Sequence, residues 1–570
     1  MSKKHKTLKH IGFLSCVLGI ITLFSGCATD IKSLEKFAHT YYYQDAKQAS
    51  DFALKKSDDK DLLWLSQAGV SAFSAGSENT IELLEKSENL FSKYEGEGLL
   101  AKGGAQVGAA IVNDNAMAYR GNMYEGVFLN YYKALAQMEK ANENGDMSAT
   151  RVELNRANDR QRRTKDYYAK QINKALEEED ERYAKSKAKG VVNRDSSQLQ
   201  ANRELESTYS NLAKFRAFDG FINPAVSYIS GLFFALNGDN KGIDYLKESY
   251  GITQNESIAQ DILYLNSADF RANAESSRAF RARVVNAINY DLAESENDAN
   301  NESSKIYEAH KDELEKLDSM AFYTWILLEE GRQAHKKEFK FSLPIITSNG
   351  LYHFGIALPQ FVEGVSFANS YGIESSPKST HTNTESIAFD ELTNTDNIIA
   401  TEFEKQLKTI IARAFVSASL KVATQLGLSK GLEQVNSGLG LLGSIFGSAY
   451  SMLSTNADLR IASVLPHKIL LAKMQNAKIS NQNPNDKESK EDFSYEIFAD
   501  RAKIASIDFS LSACYEMWQA NSQNQLDKDN KTKAKKHEKR GAILLCPYTH
   551  NIVYLRHTKA KTYHKILFSR

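Results

Sequence analysis

The chain has 570 residues, 42% of them hydrophobic, with 71 Lys+Arg set against 71 Asp+Glu. That length exceeds what one core usually organises, so at least two domains are expected. The balanced charge leaves no basic footprint for nucleic acid and no broad attraction to anionic lipid, so partners must be sought through shape and local patches.

At the N-terminus, Lys3, Lys4, Lys6 and Lys9 precede an apolar run from Ile11 to Phe24, too short for a comfortable permanent membrane span. This is the layout of a secretion signal. It ends in Leu23-Phe24-Ser25-Gly26-Cys27. Small residues directly before a cysteine resemble the bacterial lipobox, with Phe24 where that pattern usually has Leu. The resemblance implies removal of residues 1–26, a diacylglycerol thioether on Cys27 and an acylated new N-terminus. Two or more chains anchor stably where one binds marginally. Ala28 after the cysteine implies, within lipoproteins, onward transport to an outer membrane. Of the 4 cysteines, Cys16 leaves with the signal and Cys27 takes lipid. Cys514 and Cys546 then stand in an oxidising compartment, either as a disulfide or as two buried thiols. No CxxC spacing supports zinc or redox chemistry.

Residues 27–330 read as an irregular, tetratricopeptide-like array of helix pairs. Leu34, Phe37, Ala38, Tyr41, Ala49 and Phe52 suit one or two helices between Ile31 and Lys56, and a pair broken near Gly76 follows from Leu62 to Tyr94. A further pair is joined at Asn144-Gly145-Asp146. Its first helix carries the stripe Tyr124, Phe128, Tyr131, Leu135 and Met138; its second places Glu153 and Arg156 near the seam. Another pair spans Pro224 to Tyr250. The spacing from Gly76 to Gly145 is close to two repeats of roughly 34 residues, but that from Gly145 to Gly238 is not, which makes the array irregular. The charged segment Glu177 to Glu206 accounts for the excess as an extended helix plus loop.

These residues also carry a likeness. Tyr119-Arg120-Gly121, Tyr124-Glu125, Tyr131 to Leu135, Arg151 to Arg156, Asn223-Pro224, Glu330-Gly331-Arg332, Leu343-Pro344, Ile410 to Lys421 and Ala457-Asp458-x-Arg460 resemble, in order, a family of uncharacterised bacterial envelope lipoproteins with tetratricopeptide-like repeats. The chain departs from that pattern at Gly331-Arg332, where a proline would follow the glycine. The resemblance implies architecture and location, and no reaction. Tyr124, Glu125 and Tyr131 are its candidate repeat-face residues.

Residues 331–570 read as a smaller β-rich domain, which makes the chain α+β. A helix is expected to end near Trp325 to Glu330, followed by strands over Glu338 to Pro344 and Leu351 to Val362. A polar loop is expected from Ser375 to Thr393, and inserted helices over about 396–474, including an amphipathic one from Phe403 to Gly427. Strands over Ile504 to Tyr515, Ala542 to Cys546 and Ile552 to Leu555, with a charged loop from Asn521 to Arg540, complete a β-sandwich-like sheet.

Searches for chemistry return little. Gly438 to Gly443 matches the dinucleotide fingerprint but follows a helix and lacks a βαβ setting. The stretch to Leu453 reads as a closely packed buried helix, or as a segment that dips into a membrane or partner. Ser375-Ser376-Pro377-Lys378 matches SxxK within a polar loop. HExxH and Walker A patterns are absent from the sequence. No cofactor or metal is expected. Glu125, Glu153 and Arg156 read as a binding or acid–base site, or as a structural ion pair that fixes helix register; Asp458 and Arg460 allow the same two readings. Two functions stay open: a lipid-anchored envelope scaffold with protein partners, or an envelope hydrolase or transferase acting on a polymer.

Overall fold

The computed structural model describes residues 31–58, 60–97, 118–187, 208–215, 221–291, 311–347, 350–376, 386–407, 410–411, 457–477, 494–510, 513–514 and 542–570. The first helices are α1 (Ile31–Tyr43), α2 (Ala46–Lys56), α3 (Leu62–Ala75), α4 (Thr80–Glu97), α5 (Met123–Asn144) and α6 (Ser148–Lys187). Then come α7 (Pro224–Leu236), α8 (Lys241–Thr253), α9 (Glu256–Leu265), α10 (Ala268–Asp291) and α11 (Lys311–Asp318). Their limits follow from local chemistry. The Asp45 carboxylate accepts from the amides of Lys47 at 2.9 Å and Gln48 at 3.2 Å, and Asp61 caps α3 in the same way through Trp64. α3 and α5 stop at Gly76 and Gly145, whose φ angles of 68° and 75° lie in the left-handed region that favours glycine.

The pairs α3–α4, α5–α6 and α7–α8 pack in series. α7 and α8 approach so closely that a Cβ on Gly242 would collide with the backbone of Ala235 and Gly231. The stripe Tyr124, Phe128, Tyr131, Leu135 and Met138 is buried along α5. Among the described residues no helix is long and apolar enough to cross a membrane.

Strands begin at β1 (Tyr323–Glu330), β2 (His335–Thr347), β3 (Gly350–Val362), β4 (Tyr371–Ser376), β5 (Ser386–Ala388) and β6 (Asp390–Asn394). They continue with β7 (Lys468–Gln475), β8 (Ser494–Ala499), β9 (Ala502–Phe509), β10 (Ile543–Leu545), β11 (Asn551–His557) and β12 (Thr562–Ser569). One sheet has the order β12-β11-β1-β7-β6, with β1 parallel to β11 and antiparallel to β7. The other has the order β10-β9-β8-β4-β5, and β2–β3 form a separate antiparallel ribbon.

Alternation along the first sheet sets the layers. Trp325, Leu327, Ile469, Leu471, Ile552 and Tyr554 join a core shared with the helices. Their neighbours Ile326, Leu328, Leu470, Ala472, Val553 and Leu555 pack against Ile373, Ile497, Ile507 and Leu545 of the second sheet. The protein is α+β in three layers: helices, sheet, sheet.

Three sequence expectations are corrected. Trp325 to Glu330 is strand, because Tyr323–Glu330 is the central strand of its sheet and is buried on both faces; a short, continuously apolar run carries no period that separates strand from helix. The helical part therefore ends at Asp318, short of residue 330. Within Ser375 to Thr393, expected as a loop, β5 and β6 pair with β4 and β7, so Ser375 and Ser376 lie on a strand. Of the inserted helices over about 396–474, a helix covers 395–407, but residues 468–474 belong to β7, hydrogen-bonded to β1. Residues 1–30 with Cys27, most of Phe403 to Gly427, Gly438 to Leu453 and Asn521 to Arg540 lie outside the described residues.

Candidate functional site

α5 begins where helices meet strands. Asn122 caps it, and Glu125, three positions on, closes a capping box onto the Asn122 amide at 2.8 Å. The same carboxylate accepts the Tyr119 hydroxyl at 2.6 Å and the Ala462 amide at 2.7 Å. Ala462 precedes β7, so Glu125 ties a helix start to a loop of the β region. A second carboxylate meets the same helix start. Glu402, on the helix 395–407, accepts the Tyr168 hydroxyl of α6 at 2.6 Å and faces the amides of Met123 and Tyr124. Gln406 donates to Tyr168 at 2.9 Å and to Asn122 Oδ1 at 3.2 Å. The free amides and positive dipole end of α5 favour carboxylates here.

At the rim, Arg460 makes a bidentate contact with Asp458, both bonds 2.8 Å, and its guanidinium lies 5.5 Å from the centre of the Tyr119 ring. The Ala457 amide donates to Glu338 at 2.8 Å. Half-buried Lys336 lies 6.0 Å from the Phe403 ring. Burial lowers its ammonium from the ordinary value, against the charges of Asp458 and Glu125. Burial acts to raise the Asp458 carboxyl, but Arg460 outweighs it and holds the group below its ordinary value. Tyr119, Glu125, Asp458 and Arg460, far apart in sequence, thus converge on one junction.

Burial pushes the Glu402 carboxyl up to about 8, the Tyr168 hydrogen bond opposing and the Glu125 charge adding to the rise. At neutral pH this residue holds a proton. Because its folded value lies above the unfolded one, its contribution to stability is fully present in acid and is lost as pH rises toward the folded value. The melting temperature should therefore fall between about pH 5 and about pH 8, and Glu402→Gln should flatten that slope. An unchanged slope in the variant would remove Glu402 as its source.

Glu153 and Arg156 pair at 2.9 Å on α6, as their spacing predicts. They belong to a larger network. Lys133 of α5 lies 3.1 Å from Glu153 and also pairs with Glu85; Asn130 donates to Glu153 at 2.8 Å. Arg160 reaches Glu88 at 3.3 Å and Glu95 at 3.2 Å on α4. Glu153 is buried and surrounded by donors, which is the geometry of a structural ion pair setting the register of α4, α5 and α6. Among the described residues Glu125 bonds to neither Glu153 nor Arg156, so a site joining the three is not assembled. Tyr124, Glu125 and Tyr131 are buried, so these candidate repeat-face residues line the interior and not an open surface. Cys514 and Cys546, five residues past the end of β9 and one past the end of β10, form a disulfide.

Two buried charge centres went unread in the sequence. Glu329 and Arg556 are register partners on β1 and β11, both 0% exposed. Glu329 accepts the hydroxyls of Tyr132 and Tyr554, each at 2.8 Å, and Arg556 donates to the Tyr41 hydroxyl at 3.3 Å and the Gly331 carbonyl at 3.1 Å. Asp261 of α9 accepts from Tyr228, Trp325 and Lys473 at 2.6, 3.1 and 2.7 Å. The readable signal was a charge placed on the helix-facing side of an otherwise apolar strand, as in Ile552-Val553-Tyr554-Leu555-Arg556.

These features define an α+β protein whose helical array is bonded to one face of a two-sheet sandwich. No family model, curated protein or solved structure matches the chain.

Proposed function

We propose that this chain is a lipid-anchored scaffold of the bacterial cell envelope, similar to envelope lipoproteins with tetratricopeptide-like repeats, and that its helical surface binds protein partners. The observation that carries the reading is the ordered series α3–α4, α5–α6, α7–α8 backed by a sheet sharing its core. Stacked pairs fixed in this way form a preorganised binding surface that loses little entropy on association. The Cys514–Cys546 disulfide supports an oxidising compartment.

The anchor is tested through Cys27→Ala, since that thiol is the acceptor of the diacylglyceryl group. Metabolic labelling with a fatty-acid analogue should fall to background, and undiminished label would refute the anchor. Partner binding is tested by crosslinking the full chain in its native membranes, which should yield one stoichiometric adduct. A second reading, an envelope hydrolase or transferase acting on a cell-wall or surface polymer, is favoured only by the proton held on Glu402 beside Glu125. Under it Glu402→Gln would abolish the cellular phenotype while the variant stayed folded; under the scaffold reading the phenotype should survive.

A further inference from the structure

We infer that the end of the molecule at which α1 begins is its bilayer-facing end, occupied by phospholipid. The inference rests on the lipid-anchor reading of Cys27. Ile31, the first residue of α1, lies four residues beyond Cys27. Four residues reach about 14 Å even when fully extended. A lipid on Cys27 therefore holds the first turn of α1 against the headgroups, and the body has no long linker on which to swing away.

The surface at that end suits the contact. Ile31 is 43% exposed, and Lys32, Lys36, Lys55 and Lys56 are exposed on the start of α1 and the end of α2. The Lys36 ammonium lies 5.3 Å from the centre of the Phe52 ring. An apolar side chain among lysines whose stems cover apolar surface fits a headgroup boundary, where the ammonium groups meet phosphate and the stems meet acyl chain.

A second observation points to the same occupant. Phe37 and Phe52 both pack on Trp64 in the first turn of α3. Tyr94 of α4 donates to the Lys60 carbonyl at 3.1 Å, and Arg120 lies over the Tyr94 ring. Arg460 over Tyr119 continues the same path to Ala457 on Glu338. Two apolar, glycine-rich stretches of the sequence, 98–117 and 412–456, are flanked by residues of this path: the end of α4 and Tyr119 for the first, Ala457 for the second. Ile31 and the described residues flanking both stretches thus lie at one end of the body, which favours lipid over an aqueous surround.

The test uses the full chain, its Cys27 lipid verified by mass spectrometry, in phosphatidylethanolamine–phosphatidylglycerol vesicles carrying a headgroup nitroxide. Cys514 and Cys546 are bonded to each other and Cys27 is acylated, so Lys55→Cys or Leu263→Cys alone takes a fluorophore. Leu263, 74% exposed, lies on α9, whose Tyr264 packs on Tyr323 at the end of β1 away from Glu329. Loss of fluorescence is expected at position 55 and none at 263. Equal signals at the two positions, with lipid present, overturn the orientation and leave the anchor standing; absence of lipid on Cys27 overturns both. Shielding of the label at 55 without vesicles, rising with protein concentration, would assign the end to a second copy and overturn the inference.

Discussion

Arg556→Ala should destabilise the fold by about 3–5 kcal/mol, the usual cost of removing one partner from a buried charged set. The guanidinium is wholly buried between helices and sheet, where it serves the Tyr41 hydroxyl and the carbonyls of Gly331 and Val464 and faces Glu329 across the register. Alanine takes a donor from both carbonyls, leaves the Tyr41 hydroxyl with Ser74 alone, and leaves Glu329 without its compensating charge. Burial already raises the Glu329 carboxyl above its ordinary value, against the Arg556 charge and the tyrosine hydrogen bonds. Without Arg556 it rises further. A group whose folded value is raised favours the fold in acid and loses that contribution as pH rises, so the deficit of Arg556→Ala should be smallest in acid and grow toward neutrality. Urea denaturation at several pH values measures this. Adding Glu329→Gln to Arg556→Met should recover much of the loss, and a deficit independent of both pH and the second substitution would mean that packing, not charge, sets the cost.

The helical layer was legible because its signals are local. Asp45, Asp61 and Asn122 sit where caps belong, Gly76 and Gly145 sit where left-handed stops belong, and the α5 stripe repeats at helical spacing. The strands were legible where one face alternates, as in the β2–β3 ribbon. β1 was not, since sheet pairing on both edges and cores on both faces make every position apolar until the two glutamates. β12 was missed for a related reason: Thr562–Ser569 mixes polar and apolar residues, and its place is decided by pairing to β11. The candidate site was half legible. Glu125 and the Asp458–Arg460 pair were singled out, but Glu402 and Tyr168, 234 positions apart in sequence, meet beside Glu125 only in the tertiary fold. Glu153 and Arg156 share a face and pair on α6, yet the rest of their network comes from two other helices.

Asp261→Ala should cost a further large amount, about 3–5 kcal/mol, because this buried carboxylate joins four elements at one point. It accepts the Tyr228 hydroxyl of α7, the Trp325 indole of β1 and the Lys473 ammonium of β7, while itself belonging to α9. Removing it orphans three donors. Lys473 alone should matter less. Its ammonium sits 4.4 Å from the Tyr323 ring centre, 5.2 Å from Tyr264 and 5.6 Å from Trp325, so a methionine there would pack well among rings, and Asp261 would keep two of its three donors. The order of destabilisation should therefore be Asp261→Ala well above Lys473→Met. Asp261→Leu combined with Lys473→Met should fall below the sum of the singles, because the double change removes both charges from the interior together. Denaturant midpoints for Asp261→Ala, Asp261→Leu, Lys473→Met and the double variant complete the cycle. Simple additivity would mean that the two charges act independently, and a Lys473→Met loss as large as that of Asp261→Ala would mean that the ammonium and not the carboxylate organises this junction of helices and sheet.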